Sequence, residues 1–217
     1  MPYMHAVDTA TWPGRGLYEH YRNDHHPFLC LRTEIDISGF LDFIRTRELP
    51  FTLCALYLIL HTANRQKSMT YRVVDGRVVS MYPLRAAMRR MRGAHHFTYR
   101  LLDFYHDFPD FLDQARQRLK VENVEFAGYA QRQPMADVIE VTELRGASLT
   151  ADTLPQRWVQ HDSVPRLIFG AWSQQAERAS LPLALEVNQA FVDKRDASRY
   201  LQQLESAFAD ASALSGR

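Results

Sequence analysis

The residue types best suited to chemistry in this sequence follow an apolar run near its carboxyl end. In the segment SLPLALEVNQAFVDKRDASRYLQQLE the apolar residues predict a strand, and the amides Asn188 and Gln189 come directly after it. Asp193 stands four residues beyond Gln189, and a helical pattern starts behind it. Two polar side chains at a strand end beside a carboxylate are a common setting for chemistry. Because an amide is neither acid nor base at neutral pH, Gln189 can only donate or accept hydrogen bonds.

The sequence also offers imidazole groups, the side chains that most often act as general bases near neutral pH. Nine histidines include the adjacent pairs His25-His26 and His95-His96. Neighbouring residues of a strand point to opposite faces, so at most one member of each pair enters a given pocket. No zinc-ligand spacing, P-loop, GxGxxG or GxSxG motif is present. We therefore predict no metal site.

Composition excludes several classes of protein. Lys plus Arg is 26 against 25 for Asp plus Glu, so no global field attracts nucleic acid or an anionic membrane. An apolar content of 46% excludes a disordered chain. The longest apolar run, 53–60, is too short for a membrane span, which needs about 20 residues. Cys30 and Cys54 lie in apolar runs and the first residues lack a secretory signal, so we predict two buried free thiols in a cytoplasmic protein.

Hydrophobic periodicity predicts alternating helices and strands within one domain over residues 1–217, because no repeat, low-complexity tract or linker interrupts the pattern. The arginine-rich segment 85–92 is predicted to be a solvated face. The predicted helices cover 17–21, 39–46, 51–64, 109–122 and 194–213. The predicted strands cover 28–35, 71–74, 77–80, 96–101, 138–142, 167–172 and 183–187.

The segment around Gln189 resembles the active-site segment of the chloramphenicol acetyltransferase family. In that family the strand ends in His-His, and Asp-Gly follows after three more residues. Aligned on this signature, Asn188 takes the place of the first His, Gln189 that of the catalytic His, Asp193 that of the Asp and Lys194 that of the Gly. Further resemblances extend over residues 8–205: TWPGRGLYEHY, TEIDIS, PRLIFGAW, and VTELRGASL with Ser148 at the position of the catalytic serine.

The resemblance implies an α/β fold of two layers, a mostly antiparallel mixed sheet with helices packed on one side, as in CoA-dependent acyltransferases. It implies a homotrimer whose sites lie between subunits. Acetyl-CoA or another acyl thioester would enter from one end of a channel, and a small-molecule acceptor from the other. No covalently bound cofactor is implied.

Residue by residue, the resemblance assigns supporting roles around Gln189. Ser148 becomes the donor to the tetrahedral oxyanion. Asp193 becomes structural, paired with an arginine, for which Arg15 is the candidate by position and Arg199 is also within reach. Tyr21 falls on an aromatic residue of the acceptor pocket, and Trp172 on a tyrosine near the CoA adenine.

Several family residues are missing, which changes the expected function. A threonine of the family falls on Ile168 and a lysine on Ala171, and Gln189 replaces the base. His25 or His26 is therefore expected to supply a displaced base by facing Gln189 of the neighbouring subunit; the alternative is that both rings lie in solvent.

Two functional hypotheses remain open. One is a repurposed acyltransferase that acts on a small molecule or acyl thioester without the usual base. The other is a non-catalytic small-molecule-binding protein that keeps the fold. Ordinary acetylation of chloramphenicol is not expected.

Overall fold

The computed structural model describes residues 3–92, 96–120, 136–144 and 162–215. Ser148 and His95 lie outside the described residues, as do residues 121 and 122 of a predicted helix. The strands are β1 Tyr3–Ala6, β2 Phe28–Asp36, β3 Tyr71–Val74, β4 Arg77–Tyr82, β5 Arg85–Arg92, β6 His96–Leu102, β7 Val138–Glu143, β8 Arg166–Phe169, β9 Ser173–Gln175 and β10 Arg178–Asn188. The helices are α1 Arg15–Tyr21, α2 Ser38–Thr46, α3 Phe51–Asn64, α4 Phe108–Lys120 and α5 Lys194–Asp210.

Ten described strands form two sheets. The larger has the order β2-β10-β8-β7-β5-β6, with β9 added beside β10. Its pairs are antiparallel except β5–β7 and β7–β8, which are parallel. The smaller sheet has the order β1-β4-β3 and is antiparallel throughout. The predicted mixed, mostly antiparallel sheet is confirmed.

Helices α2, α3 and α5 pack together against β10 and its neighbours to form the main core. Helix α3 is buried along most of its length, which explains why its sequence is apolar all round instead of on one stripe. Helix α5 is amphipathic and buries Tyr200, Leu204 and Phe208, one turn apart from each other. The sequence predicted both helices because an apolar pattern with helical spacing is a local property.

A single arginine joins the small sheet to the large one. The Arg72 side chain is buried and donates to the carbonyl oxygens of Ala136, Met69, Tyr71 and Val138 at 2.7–2.9 Å. Burial lowers the pKa of Arg72 to about 9. Four backbone acceptors therefore hold the guanidinium in place of a direct carboxylate pair.

Two expectations from the sequence were wrong. Segment 85–92 forms β5, a strand inside the large sheet, and its described side chains are not a solvated face, because Ala86 and Ala87 are buried and Asp137 pairs with Arg85 at 2.6 Å. Cys30 is exposed because it lies on the outer face of the edge strand β2, whereas Cys54 is buried as expected.

The described residues contain neither a membrane-spanning helix nor a group of metal-ligand side chains. None of the described helices is long and apolar enough to cross a membrane. Across the same ranges, no three His, Cys, Asp or Glu side chains are grouped as a metal site would require.

Candidate active site

Strand β10 positions the amide pair predicted from the sequence. It lies inside the sheet between β2 and β8, and Leu183, Leu185 and Val187 face the core. The strand ends at Asn188, which pairs with Phe28 of β2. Gln189 therefore stands where the chain leaves the sheet, directly after the last residue pair between β10 and β2.

Asn188 organises the turn that follows β10. Its side chain is buried, its Nδ2 donates to the carbonyl oxygen of Asp162 at 2.8 Å, and its Oδ1 accepts from the N–H of Ala190 at 2.8 Å. Its carbonyl oxygen accepts from the N–H groups of Phe191 and Val192. All of these bonds are internal to the protein, so Asn188 fixes the shape of the turn over residues 188–192, which we call the Gln189 corner. Both polar atoms of the Asn188 side chain are used in these bonds, so Gln189 is the member of the amide pair that remains for contact with a ligand.

Gln189 is half-buried, and its backbone N–H donates to the carbonyl oxygen of Pro27 at 2.6 Å. No hydrogen bond joins its side-chain amide to another residue in the described ranges. The side chain is thus held at the surface of a rigid corner with its donor and acceptor not committed to any described group. That arrangement suits hydrogen bonding to a ligand.

The loop that carries His25 and His26 lies directly against this corner, because Pro27 follows them. Sequence reasoning had placed the pair opposite Gln189 of a neighbouring subunit, whereas the structure ties their loop to Gln189 of the same chain. Both rings are exposed in the single chain. The sequence did not predict that this loop lies next to Gln189 of the same chain, because that proximity depends on how β2 and β10 pair.

Asp193 begins α5 and caps it. Its Oδ1 accepts from the N–H of Asp196 at 2.7 Å, and its Oδ2 lies 3.8 Å from Nε of Arg195. The expected pair with Arg15 does not form, because Arg15 bonds Glu19 at 3.2 Å one turn along α1. The structural role predicted for Asp193 thus has a different physical basis, since a half-buried helix cap replaces the expected buried ion pair.

A cluster of aromatic rings supports the same corner and was missed from the sequence. Phe191, two residues beyond Gln189, packs against Tyr18 at 5.6 Å, Trp12 at 6.1 Å and Tyr71 at 6.3 Å between ring centroids. The only sequence signal was the apolar triplet Ala-Phe-Val between the amide pair and Asp193. These contacts tie the turn to α1 and to the small sheet.

Charged side chains are buried on the opposite side of the corner. Arg166 donates to Glu186 at 2.5 Å and also bonds Asp162, and Glu140 lies 3.6 Å from its Nε. Burial opposes the charge, but the Asp162, Glu140 and Glu186 carboxylates together raise the pKa of Arg166. Since the carbonyl of Asp162 accepts from Asn188, this ion cluster is linked to the turn by one hydrogen bond.

Two further predicted site residues, Tyr21 and Trp172, make ring contacts of their own in the single chain. Tyr21 is half-buried at the end of α1, with its ring 4.6 Å from that of His20. Trp172 is 38% exposed and stacks with the guanidinium of Arg45 at 5.7 Å. Because the N–H of Gly170 bonds Pro182, Trp172 lies near the opposite end of β10, about 25 Å along the strand from Gln189.

Comparison with solved structures defines the class of fold as that of CoA-dependent acyltransferases. A chloramphenicol acetyltransferase matches with a TM-score of 0.85 at 20% identity, over 95% of this chain and 100% of the other. A dihydrolipoamide acetyltransferase from Azotobacter vinelandii matches with a TM-score of 0.66 at 13% identity, over 93% of this chain and 88% of the other.

Sequence comparison narrows the class to a family. The sequence model of the family described as chloramphenicol acetyltransferase matches residues 1–205, so the chain belongs to this family. A chloramphenicol acetyltransferase from Streptomyces acrimycini is 22% identical over 212 residues, which is 97% of this chain and 96% of that protein.

Proposed function

We propose that this protein is a divergent acyltransferase-type enzyme whose site works by hydrogen bonding instead of the usual histidine base. Gln189 occupies the position of the family's catalytic histidine in this interpretation, and it polarises a carbonyl group of the substrate. The observation that carries the proposal is the corner itself, in which Asn188 and Pro27 hold the backbone of Gln189 while its side-chain amide stays available. Selection for packing alone would not require a polar amide there.

The substrate is a small molecule or an acyl thioester such as acetyl-CoA. A thioester with a long carrier arm fits the separation of about 25 Å between Trp172 and Gln189, because an extended ligand could contact both. Trp172 offers an aromatic face and Arg45 a cation at one end. Ser148 is proposed as the oxyanion donor at the other end.

The complete site is proposed to lie between subunits of a homotrimer. Support comes from the membership of the family and from the outer face of β2, where Cys30, Arg32 and Glu34 are exposed at the edge of the sheet. An edge strand with alternate exposed residues is suited to contact with another copy. A ring of three copies uses heterologous contacts that close.

Loss of the base limits the rate of any ordinary acetyl transfer. General-base catalysis typically contributes about 10²- to 10⁴-fold, and an amide cannot supply it. We expect the natural reaction to need little proton abstraction, as when the acceptor is already a good nucleophile. The second candidate is a non-catalytic binding protein, favoured by the exposure of both His25 and His26 in the single chain.

The test is release of free CoA from acetyl-CoA in the presence of chloramphenicol. We expect no measurable turnover by the native protein and a clear increase in Gln189→His, because imidazole restores the base. Gln174→His, on the exposed strand β9, serves as a control for adding a histidine and should change nothing. Native turnover within roughly tenfold of an ordinary family member contradicts the proposal, because general-base loss alone exceeds that factor.

The two candidates are separated by the Gln189→His variant and by a ligand search. Mass spectrometry of the purified native protein identifies any retained small molecule. A retained compound with no acyl group, together with an inert Gln189→His variant, favours the binding protein. Restored turnover in Gln189→His favours the enzyme, since it requires an intact acyl-donor site.

A further inference from the structure

A cavity opens beside the C-terminal half of α3, apart from the Gln189 corner. Its volume is about 850 Å³, within the range of roughly 300–1,000 Å³ common for small-molecule sites. Its walls come from α3, from the end of β4, from the loop between β6 and α4, and from the residues after α5. None of the residues that shape the Gln189 corner lines it.

Helix α3 presents three side chains to this cavity at intervals of one turn. Tyr57, His61 and Arg65 follow each other at spacings of four residues, so they lie on one face of the helix. The rings of Tyr57 and His61 are stacked, with centroids 5.7 Å apart. Phe104 stacks on the other side of Tyr57 at 6.1 Å. The inner part of the cavity is therefore an aromatic wall and the outer part is cationic.

Hydrogen bonds between protein groups hold the walls of the cavity in place. Tyr57 Oη donates to the carbonyl oxygen of His106 at 2.7 Å, and Tyr82 Oη lies 3.3 Å from Nε2 of His106. The Asn64 side chain bonds both the N–H and the carbonyl oxygen of Leu84, at 2.7 and 3.1 Å. These bonds fix the loop and the strand corner against α3, so the cavity is preformed.

Arg65 is the cation of the cavity that has no ion pair in the part of the chain that the structure describes. Its side chain is exposed, and its guanidinium makes no hydrogen bond there either. Burial, and then the positive charges of Arg65 and His106, lower the pKa of His61, so its ring is neutral at pH 7 and offers a hydrogen bond in place of a charge. An anionic ligand would therefore pair with Arg65. Asp107 is the acidic residue among the lining residues.

We propose that this cavity binds a small aromatic monocarboxylate. The planar fork of Arg65 matches a carboxylate with two parallel hydrogen bonds, and His61 lies one turn away on the same face. The ring of the ligand would pack against Tyr82, which lines the cavity and is 37% exposed. A single negative charge fits better than two, because Asp107 and the negative end of the α3 dipole both oppose further anionic charge.

The test is isothermal titration calorimetry on the native protein with benzoate, benzamide and phenyl phosphate as probes. We expect saturable binding of one benzoate per chain, weaker binding of uncharged benzamide, and weaker binding of the phenyl phosphate dianion. Arg65→Gln should weaken benzoate by roughly tenfold or more, because hydrogen bonds to a charged group are lost. Since Arg65 is exposed, this variant should fold normally, which circular dichroism checks.

Arg199→Gln is the matched control. Arg199 lines an adjacent recess with His61 and Arg65 but not this cavity, and it bonds Asp196 at 3.1 Å. Benzoate affinity should be unchanged in it. Absence of benzoate binding, binding of benzamide as tight as benzoate, or equal losses in the two arginine variants would each overturn the proposal. Benzoate binding that survives Arg65→Gln and is lost in Gln189→Ala would place the ligand in the acyltransferase site and overturn it too.

Discussion

The backbone N–H of Gln189 donates a hydrogen bond of 2.6 Å to the carbonyl oxygen of Pro27. This bond closes the end of the β2–β10 pair and brings the His25-His26 loop next to the candidate catalytic amide of the same chain. In a trimer, the loop and the amide would therefore approach a neighbouring subunit together. We predict that any base supplied by this loop serves Gln189 of its own chain and not that of a neighbour.

If His25 or His26 supplies that base, its removal should abolish activity while leaving the fold intact. With hydroxylamine, an acceptor that is already a good nucleophile, we expect the native protein to release CoA slowly from acetyl-CoA and the double variant His25→Ala, His26→Ala to lose that release. His5→Ala on β1 is the matched control and should retain it. Unchanged release in the double variant would exclude a displaced base from this loop.

The protein should be a trimer in dilute solution. The 25.2 kDa chain is then expected to give a mass close to three chains by multi-angle light scattering. Glu34→Arg, on the exposed face of β2, should weaken assembly if this strand contacts a neighbour, because it reverses a charge at the interface. A native mass of one chain would contradict the placement of the site between subunits.

Asp193→Ala should lower the free energy of unfolding by about 0.5–2 kcal/mol, because it removes the N-cap of α5. The larger loss expected for a buried ion pair should not appear, since no arginine in the described ranges lies closer than 3.8 Å to the Asp193 carboxylate. Asp193→Ser retains a capping oxygen and should keep most of the stability. Urea unfolding followed by circular dichroism measures all three proteins.

Arg15→Gln tests whether Arg15 contributes to the free energy of unfolding through a pair with Asp193. Arg15 forms an exposed pair with Glu19 on α1, and such pairs contribute about 0–1 kcal/mol. Its free energy of unfolding should therefore stay within about 1 kcal/mol of the native value. A loss equal to that of Asp193→Ala, with no further loss in the double variant, would mean that the two side chains are coupled after all.

Asn188→Ala should be more harmful than Gln189→Ala. The first leaves the buried Asp162 carbonyl and the Ala190 N–H without partners, each worth about 1–3 kcal/mol. The second removes a side chain that bonds no other described residue, so the free energy of unfolding should fall by less than about 1 kcal/mol. Equal losses in urea unfolding would contradict the division into a structural amide and a ligand-facing one.

Stability should decline at alkaline pH because of buried phenols. Burial raises the pKa of Tyr200, whose Oη donates to the carbonyl of Ile59 at 3.3 Å. A raised folded pKa means that the native state holds the proton more tightly, so this contribution is complete below about pH 10 and is lost as pH rises further. Burial, and then the Asp107 carboxylate, raise the pKa of Tyr57 to about 12.

Tyr200→Phe should accordingly flatten the loss of stability above about pH 10. At neutral pH it should lower the free energy of unfolding by about 1 kcal/mol, from the lost hydrogen bond. Tyr3→Phe, at a position 68% exposed, is the control and should keep the native pH profile. An alkaline decline as steep in Tyr200→Phe as in the native protein would assign the effect to other groups.

Local patterns in the sequence were enough for most elements. Alternating apolar residues predicted β2, and the observed strand runs from Phe28 to Asp36. The run behind Asp193 predicted α5, whose first residue is Lys194 in both. The sequence also located Asn188 and Gln189 at a strand end, since the change from apolar to polar residues marks where β10 leaves the sheet. Such features depend on neighbours within a few residues, which is why periodicity reveals them.

Partners distant in the chain were decided by tertiary structure alone. Segment 85–92 was expected in solvent but forms an interior strand, and Asp137, which is 52 residues away in the chain, pairs with Arg85. Arg15 pairs with Glu19 and not with Asp193. Pro27 contacts Gln189 because β2 pairs with β10. The cavity beside α3 is lined by residues between positions 57 and 213, whose types share no pattern in the sequence. Sequence periodicity reports which face of an element is buried, but the partner of each polar group depends on which elements pack together, and that is set by the whole fold.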